Sequence, residues 1–329
     1  MNTAKILTAA CASCIASILS AATATFNFAS DAENVNLWDA IAQDSTCGSF
    51  NGNNPYTVYC DSLNLRNVDS HNVSLVLSTN LADDYPLYTA GNLNIALIGL
   101  TLTLDGPEAA IAPMGSFTTS NKATFAIQNG ASVSVNGNWE TSRTGGNSSE
   151  GSTVIVRGGS SLIQAQFSTI MGNAEYTSAF TFRVEGENNV KLRNWSFIGA
   201  AGTSVENPMG AKLELVADES GLTTIQHEST VLDFSGVVLV DLTNLIWDES
   251  WGSEHQFTLV SATNNSATAF GYFCDNQETL AQVDGVSDWL FSYDNNNLYL
   301  TVSQVPEPAT FAAIFGALAL AIAAYRRRG

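Results

Sequence analysis

Apolar and polar residues alternate with a period of two along most of this chain, and runs of helical period are nearly absent. Between positions 123 and 226 the alternation falls into paired segments separated by Gly- and Asn-rich breaks. Residues 123–127 and 132–135 flank Gln128-Asn129-Gly130, and 152–156 and 161–166 flank Arg157-Gly158-Gly159. Residues 180–184 and 190–198 flank Glu185-Gly186-Glu187-Asn188-Asn189, and 211–216 and 222–226 flank a break at 217–221. The first segments start near 123, 152, 180 and 211, a repeat of roughly 30 residues. Each unit is a strand, a turn, a second strand and a longer loop.

A unit this short cannot bury its own apolar face, so copies must stack on one another. The pattern predicts an all-β fold, either of two kinds. One is a right-handed parallel β-solenoid, or β-helix, in which Phe125, Ile127, Val133, Val135, Ile155, Phe182, Val184, Leu213 and Leu215 face inward. Asn and Gly suit its corners because both tolerate left-handed backbone. The other is an antiparallel β-sandwich, because Asn129-Gly130 and Asn136-Gly137 are also hairpin signals. Residues 31–91 are less regular and read as an N-terminal cap, with a mild helical look at 34–43. The repeat-like strands occupy 92–245, and 246–305 read as a C-terminal cap. That cap holds a strand at 257–261 and a hairpin made by 289–293, Asp294-Asn295-Asn296-Asn297 and 298–302.

Both ends break the alternation. Lys5 precedes a run of apolar and small residues over 6–22, and Ala22-Thr23-Ala24 is an A-x-A cleavage site. This is the pattern of a secretory signal peptide over 1–24, helical and removed after Ala24. At the other end, Pro306 and Pro308 hold the backbone extended around Glu307. Residues 309–325 carry no charge, and as one helix they span roughly 26 Å, enough for a bilayer core. Arg326, Arg327 and Arg328 follow and would hold that end in the cytoplasm, with the body 25–305 on the far side of the membrane.

Val305-Pro306-Glu307-Pro308, the apolar span and the three arginines together resemble the PEP-CTERM sorting signal of Gram-negative and related bacteria. The resemblance covers 306–329 only. It implies that exosortase, a membrane-embedded cysteine protease or transpeptidase, processes the chain near the Pro-Glu-Pro motif. The protein would then be anchored in the inner membrane before processing and reach the cell surface or extracellular matrix afterwards. The resemblance says nothing of the body's activity, and no cofactor is expected.

All acids but Glu307 lie in the body, and only eight of the 12 Lys and Arg do, so 8 positive charges face 30 negative ones, about −22 in all. Such a surface disfavours nucleic acid and anionic lipid as partners and suits a soluble exported protein. After export, Cys47 and Cys60 could close a disulfide across a Gly/Asn-rich loop, contributing about 3 kcal/mol in the chain-entropy model. Cys274 is then the odd thiol.

No Gly-x-Ser-x-Gly elbow, His-Glu-x-x-His, P-loop or Cys-x-x-Cys lies in the body. Its densest ionisable patch is Trp247-Asp248-Glu249-Ser250-Trp251-Gly252-Ser253-Glu254-His255. Carboxylates flanked by tryptophans can grip a sugar ring, and a carboxylate with His can do acid–base work. Yet the run belongs to one loop, and reads as solvated turn with two packing tryptophans. Parallel β-helices that act on polysaccharides cluster Asp, Lys and Arg on successive coils. Here the body cations are scattered, and Arg183, Lys191 and Arg193 read as offsets to Glu185 and Glu187. Asp83-Asp84 and 294–297 match no calcium-loop spacing and read as turns. The expected function is therefore a non-enzymatic structural or adhesive protein of the surface or matrix, with extracellular polysaccharide as a partner. The alternative is a carbohydrate-active enzyme or carbohydrate-binding protein on a β-helix.

Overall fold

The computed structural model describes residues 23–28, 30–37, 62–67, 71–78, 93–140, 151–262 and 270–303. With three exceptions, consecutive described strands alternate between two sheets. One sheet runs β2 (Ala32–Asn36), β4 (Val73–Leu77), β6 (Thr101–Asp105), β8 (Thr124–Gln128), β11 (Thr153–Arg157), β14 (Phe180–Glu185), β16 (Ala211–Val216), β18 (Val237–Asp241) and β20 (Ala281–Asp284). The other begins with β1 (Thr23–Phe28), β3 (Ser62–Asn67), β5 (Leu93–Ile98) and β7 (Ala110–Ser120). It then splits into β9 (Ser132–Val135) with β12 (Ser161–Gln164), beside β10 (Trp139–Glu140) with β13 (Thr169–Met171). The two paths rejoin at β15 (Asn189–Phe197), and the sheet continues through β17 (Ile225–Phe234) and β19 (Glu254–Ala262). It ends in β22 (Asn297–Ser303) and β21 (Asp288–Tyr293), with β22 antiparallel to both β19 and β21.

The pairing of the repeats is parallel and in register. Leu102, Phe125, Val154, Phe182, Leu213 and Val238 lie side by side on six adjacent strands, all buried. Two residues on, Leu104, Ile127, Val156, Val184, Leu215 and Val240 form a second buried column. A period of two turns each strand's alternate residues to one face, and the register then stacks like on like. The opposite sheet supplies aromatics to the same core. Trp139 meets Phe117 at 6.1 Å and Phe182 at 5.8 Å between ring centroids, while Trp195 meets Phe234 at 5.5 Å, edge-on. Such pairs add to the burial of their area.

Most of the expected inward residues are buried as read, with Ile155 the exception. Its register partners are Ala126 and Arg183 on the outer side, and Val154 and Val156 take the inward places. Three consecutive β-branched residues leave the parity of that strand undefined in the sequence alone. The Asn129-Gly130 signal serves a corner instead of a hairpin: both residues have positive φ, and the chain passes there from β8 in one sheet to β9 in the other. Residues 34–36, which have a helical look, belong to β2, paired with β4. β2 to β4, in the stretch read as a cap, follow the same parallel pattern, and so does β1 before them. The hairpin expected near the C-terminus forms as read, with Asp294 accepting from the backbone N–H of Asn296 and Asn297, each at 2.7 Å. Two short helices, α1 (Phe270–Asp275) and α2 (Gln277–Leu280), bury Phe270, Phe273 and Leu280 against the last turns.

Candidate functional site

The corners that follow β14, β16 and β18 lie on successive turns of the same sheet, so their side chains gather at one edge. The first corner turns at Gly186, whose φ of +69° suits glycine, and a Cβ there would collide with the Asp218 carboxylate of the next corner. The second corner is closed by Asp218, which accepts at Oδ1 from the Ser220 N–H at 2.7 Å and from the Ser220 hydroxyl at 2.6 Å. Cross-links then fix one corner on the other. The Glu187 N–H donates to Ser220 Oγ at 2.8 Å, and Thr223 Oγ1 donates to the Gly186 carbonyl at 2.5 Å.

The third corner carries the tryptophan-rich run. Asp248 caps a single 3-10 turn, Glu249–Trp251, accepting from the Ser250 N–H at 2.8 Å. That bond is the main reason its carboxyl titrates below the usual range, so it stays ionised. Trp251 lies flat against His255, with ring centroids 3.9 Å apart and planes within 17°. Phe257 meets the same indole edge-on at 5.5 Å, and Trp247 does so at 5.3 Å. Trp247 Nε1 donates to the Gly252 carbonyl at 3.0 Å, tying the tip back to its base. Burial holds the His255 pKa below its ordinary value, against the pull of Asp248, so the imidazole is neutral at pH 7.

Between these corners lies an open cleft of about 500 Å³. It is lined by the rings of Trp251, His255 and Phe257, by Leu222, Leu245 and the exposed Ile246, and by the carboxylates Glu187, Asp218, Glu219 and Asp248. The run 247–255 is therefore not a self-contained loop, because it meets acids from two other corners. No local pattern assigns those acids to the patch, although Glu187, Asp218 and Glu219 all fall in the breaks of the repeat. Aromatic rings and carboxylates in one cleft can hold a flat apolar face while accepting hydrogen bonds at its rim.

The other singled-out residues sit elsewhere. Arg183 bonds Glu185 and Glu214 on the outer face of the sheet, Lys212 reaches Glu214 at 2.7 Å, and Arg157 reaches Glu185 at 3.7 Å. Arg193 donates to the Ala165 carbonyl. Cys274 is a free thiol, and burial pushes its pKa up to about 11. Ala24 lies within β1, opposite Leu63. Ala22, Cys47, Cys60, Asp83-Asp84, Val305, Pro306, Glu307, Pro308, the span 309–325 and Arg326, Arg327 and Arg328 lie outside the described residues. Among the described residues, no helix is long and apolar enough to cross a membrane, and no group of three or more His, Cys, Asp or Glu is placed to hold a metal ion. No protein-family model, curated protein or solved structure matches this chain.

Proposed function

We propose that this chain is an exported, non-enzymatic β-solenoid that acts as a structural or adhesive element at the cell surface or in the extracellular matrix. The observation that carries the reading is the strand-by-strand alternation between two in-register parallel sheets. Each strand returns to its own sheet after crossing the other, and crossovers between parallel strands are right-handed in nearly all proteins, which supports a right-handed coil. A stacked shaft of this kind presents long flat faces and corner loops, the surfaces an adhesive protein needs. Its last strand ends at Ser303, so the Pro306-Glu307-Pro308 handle follows the fold directly. On this reading exosortase is the processing partner, and the membrane holds the chain through 309–325 until then.

The test is the mass of the mature protein. In a host with exosortase, the exported chain should begin near Thr25 and end near the Pro-Glu-Pro motif, and deletion of exosortase should leave 309–329 attached. Full-length polypeptide recovered from cytosol with both ends intact defeats the proposal. A second reading, carbohydrate binding, is favoured by the aromatic and acidic cleft at the corners after β14, β16 and β18.

A further inference from the structure

We infer that this cleft is a binding site for a polysaccharide built of sugars without acid groups. The inference names the ligand of the adhesive surface proposed above and rests on that reading.

A pyranose has a flat face of C–H groups and a rim of hydroxyls, and the cleft offers a partner for each. Trp251, backed by His255 and braced edge-on by Phe257, is an aromatic shelf whose orientation is set before any ligand arrives. Aromatic side chains have only two χ angles to fix, so little entropy is lost when a ring packs on them. In the same cleft, Glu187, Asp218, Glu219 and Asp248 are acceptors for hydroxyl or ammonium protons, and bonds to ionised carboxylates are stronger than neutral ones. Asp218 and Asp248 each spend one oxygen on their own turn, at Ser220 and Ser250, which holds the carboxylates in place.

The charge of the cleft sets its selectivity. Its lining holds four carboxylates and no Lys or Arg, and its imidazole is neutral. A uronate or sulfated chain would carry negative charge into this field and be repelled, while neutral sugars are accepted and amino sugars attracted. The geometry suits a polymer over a free monosaccharide. Glu187 and Asp218 each lie two residues past the paired Glu185 and Val216, on adjacent strands about 4.8 Å apart in a sheet, so acceptors recur from one turn to the next as successive rings of a linear chain would need.

Affinity electrophoresis of the full chain through gels containing dextran, chitosan or alginate tests this. Retardation is expected in dextran and more strongly in chitosan, with free migration in alginate. Trp251→Ala should weaken retention at least tenfold, and Trp251→Phe should keep most of it. Glu187→Gln with Glu219→Gln, two exposed turn positions, should cut chitosan retention severalfold even if the Trp251 variant fails to fold. Equal retention of wild type and the glutamine double variant on chitosan overturns the inference, as does free migration in both dextran and chitosan, or preference for alginate. None of these outcomes depends on the terminal masses that decide the sorting proposal, so the two can fail separately.

Discussion

The middle of the shaft and its C-terminal end are built from the same chain under different constraints. On β8, β11, β14 and β16, Phe125, Val154, Phe182 and Leu213 each have a neighbour in register on the strand before and the strand after, and all four are fully buried. Beyond β18 the parallel pairing ends at β19 and β20, and an antiparallel hairpin, two short helices and a long corner join it, with large apolar side chains at the surface: Ile246 is 65% exposed, Tyr272 61% and Leu290 55%. Stacking fixes side chains where it continues. Where it ends, side chains are released from packing and can meet other molecules, and the third corner of the cleft lies in that part.

The comparison is broken most directly by taking a large ring from each region. Phe182 sits in the in-register column and meets Trp139 edge-on, so Phe182→Ala should lower stability by about 3–5 kcal/mol, the range for an aromatic removed from a packed core. Phe257 is half-buried on β19, and Phe257→Ala should cost about 1–2 kcal/mol. Urea unfolding followed by circular dichroism and by tryptophan fluorescence measures both. Equal losses would mean that the end is packed as tightly as the middle.

How far the sequence could be read follows the same division. Where one strand of a repeat has clean alternation, as in Phe180–Glu185, its inward residues are legible from parity alone. In Val154-Ile155-Val156 parity is silent, and only the partners Phe182 and Val184 decide which side faces in. The hairpin signal at Asn129-Gly130 specifies left-handed backbone, which a corner uses as readily as a hairpin, so the choice between parallel and antiparallel pairing lay in contacts about 30 residues apart. The cleft was half legible for the same reason. Its tryptophans are contiguous with Asp248 and visible as a cluster, while Glu187 and Asp218 reach it through stacking, which no local pattern records.

A smaller effect sharpens the comparison from outside the core. On the outer face of the middle turns, burial pushes the Glu214 pKa up, but bonds to Lys212 and Arg183 outweigh it and hold the group below its ordinary 4.5. A carboxyl whose folded pKa is depressed stabilises the fold above the unfolded value, and the contribution is lost as pH falls through the folded one. Thermal stability should therefore drop as pH falls below about 4.5. Glu214→Gln should cost about 1–2 kcal/mol at pH 7, between an exposed ion pair and a buried one, and should flatten the acid limb of a melting-temperature profile. An unchanged acid limb in the variant would assign that loss to other carboxylates.

The least disruptive substitution probes the end itself. Cys274 lies in α1 between the buried Phe273 and the solvent, and burial, with Asp275 adding to it, pushes its thiol up to about 11 from 9.0. At pH 8 the thiolate fraction is then about a hundredfold below that of a solvated cysteine, and the thiolate is the reacting species. Peptide-resolved alkylation should find Cys274 slow in the folded protein and at least tenfold faster in urea, while Cys274→Ala changes stability by less than about 1 kcal/mol. The combination is specific to a side chain that is covered without being packed into a column. If alkylation is equally fast with and without urea, α1 does not cover the thiol. If the alanine variant loses as much stability as Phe182→Ala, the end is no looser than the shaft it closes.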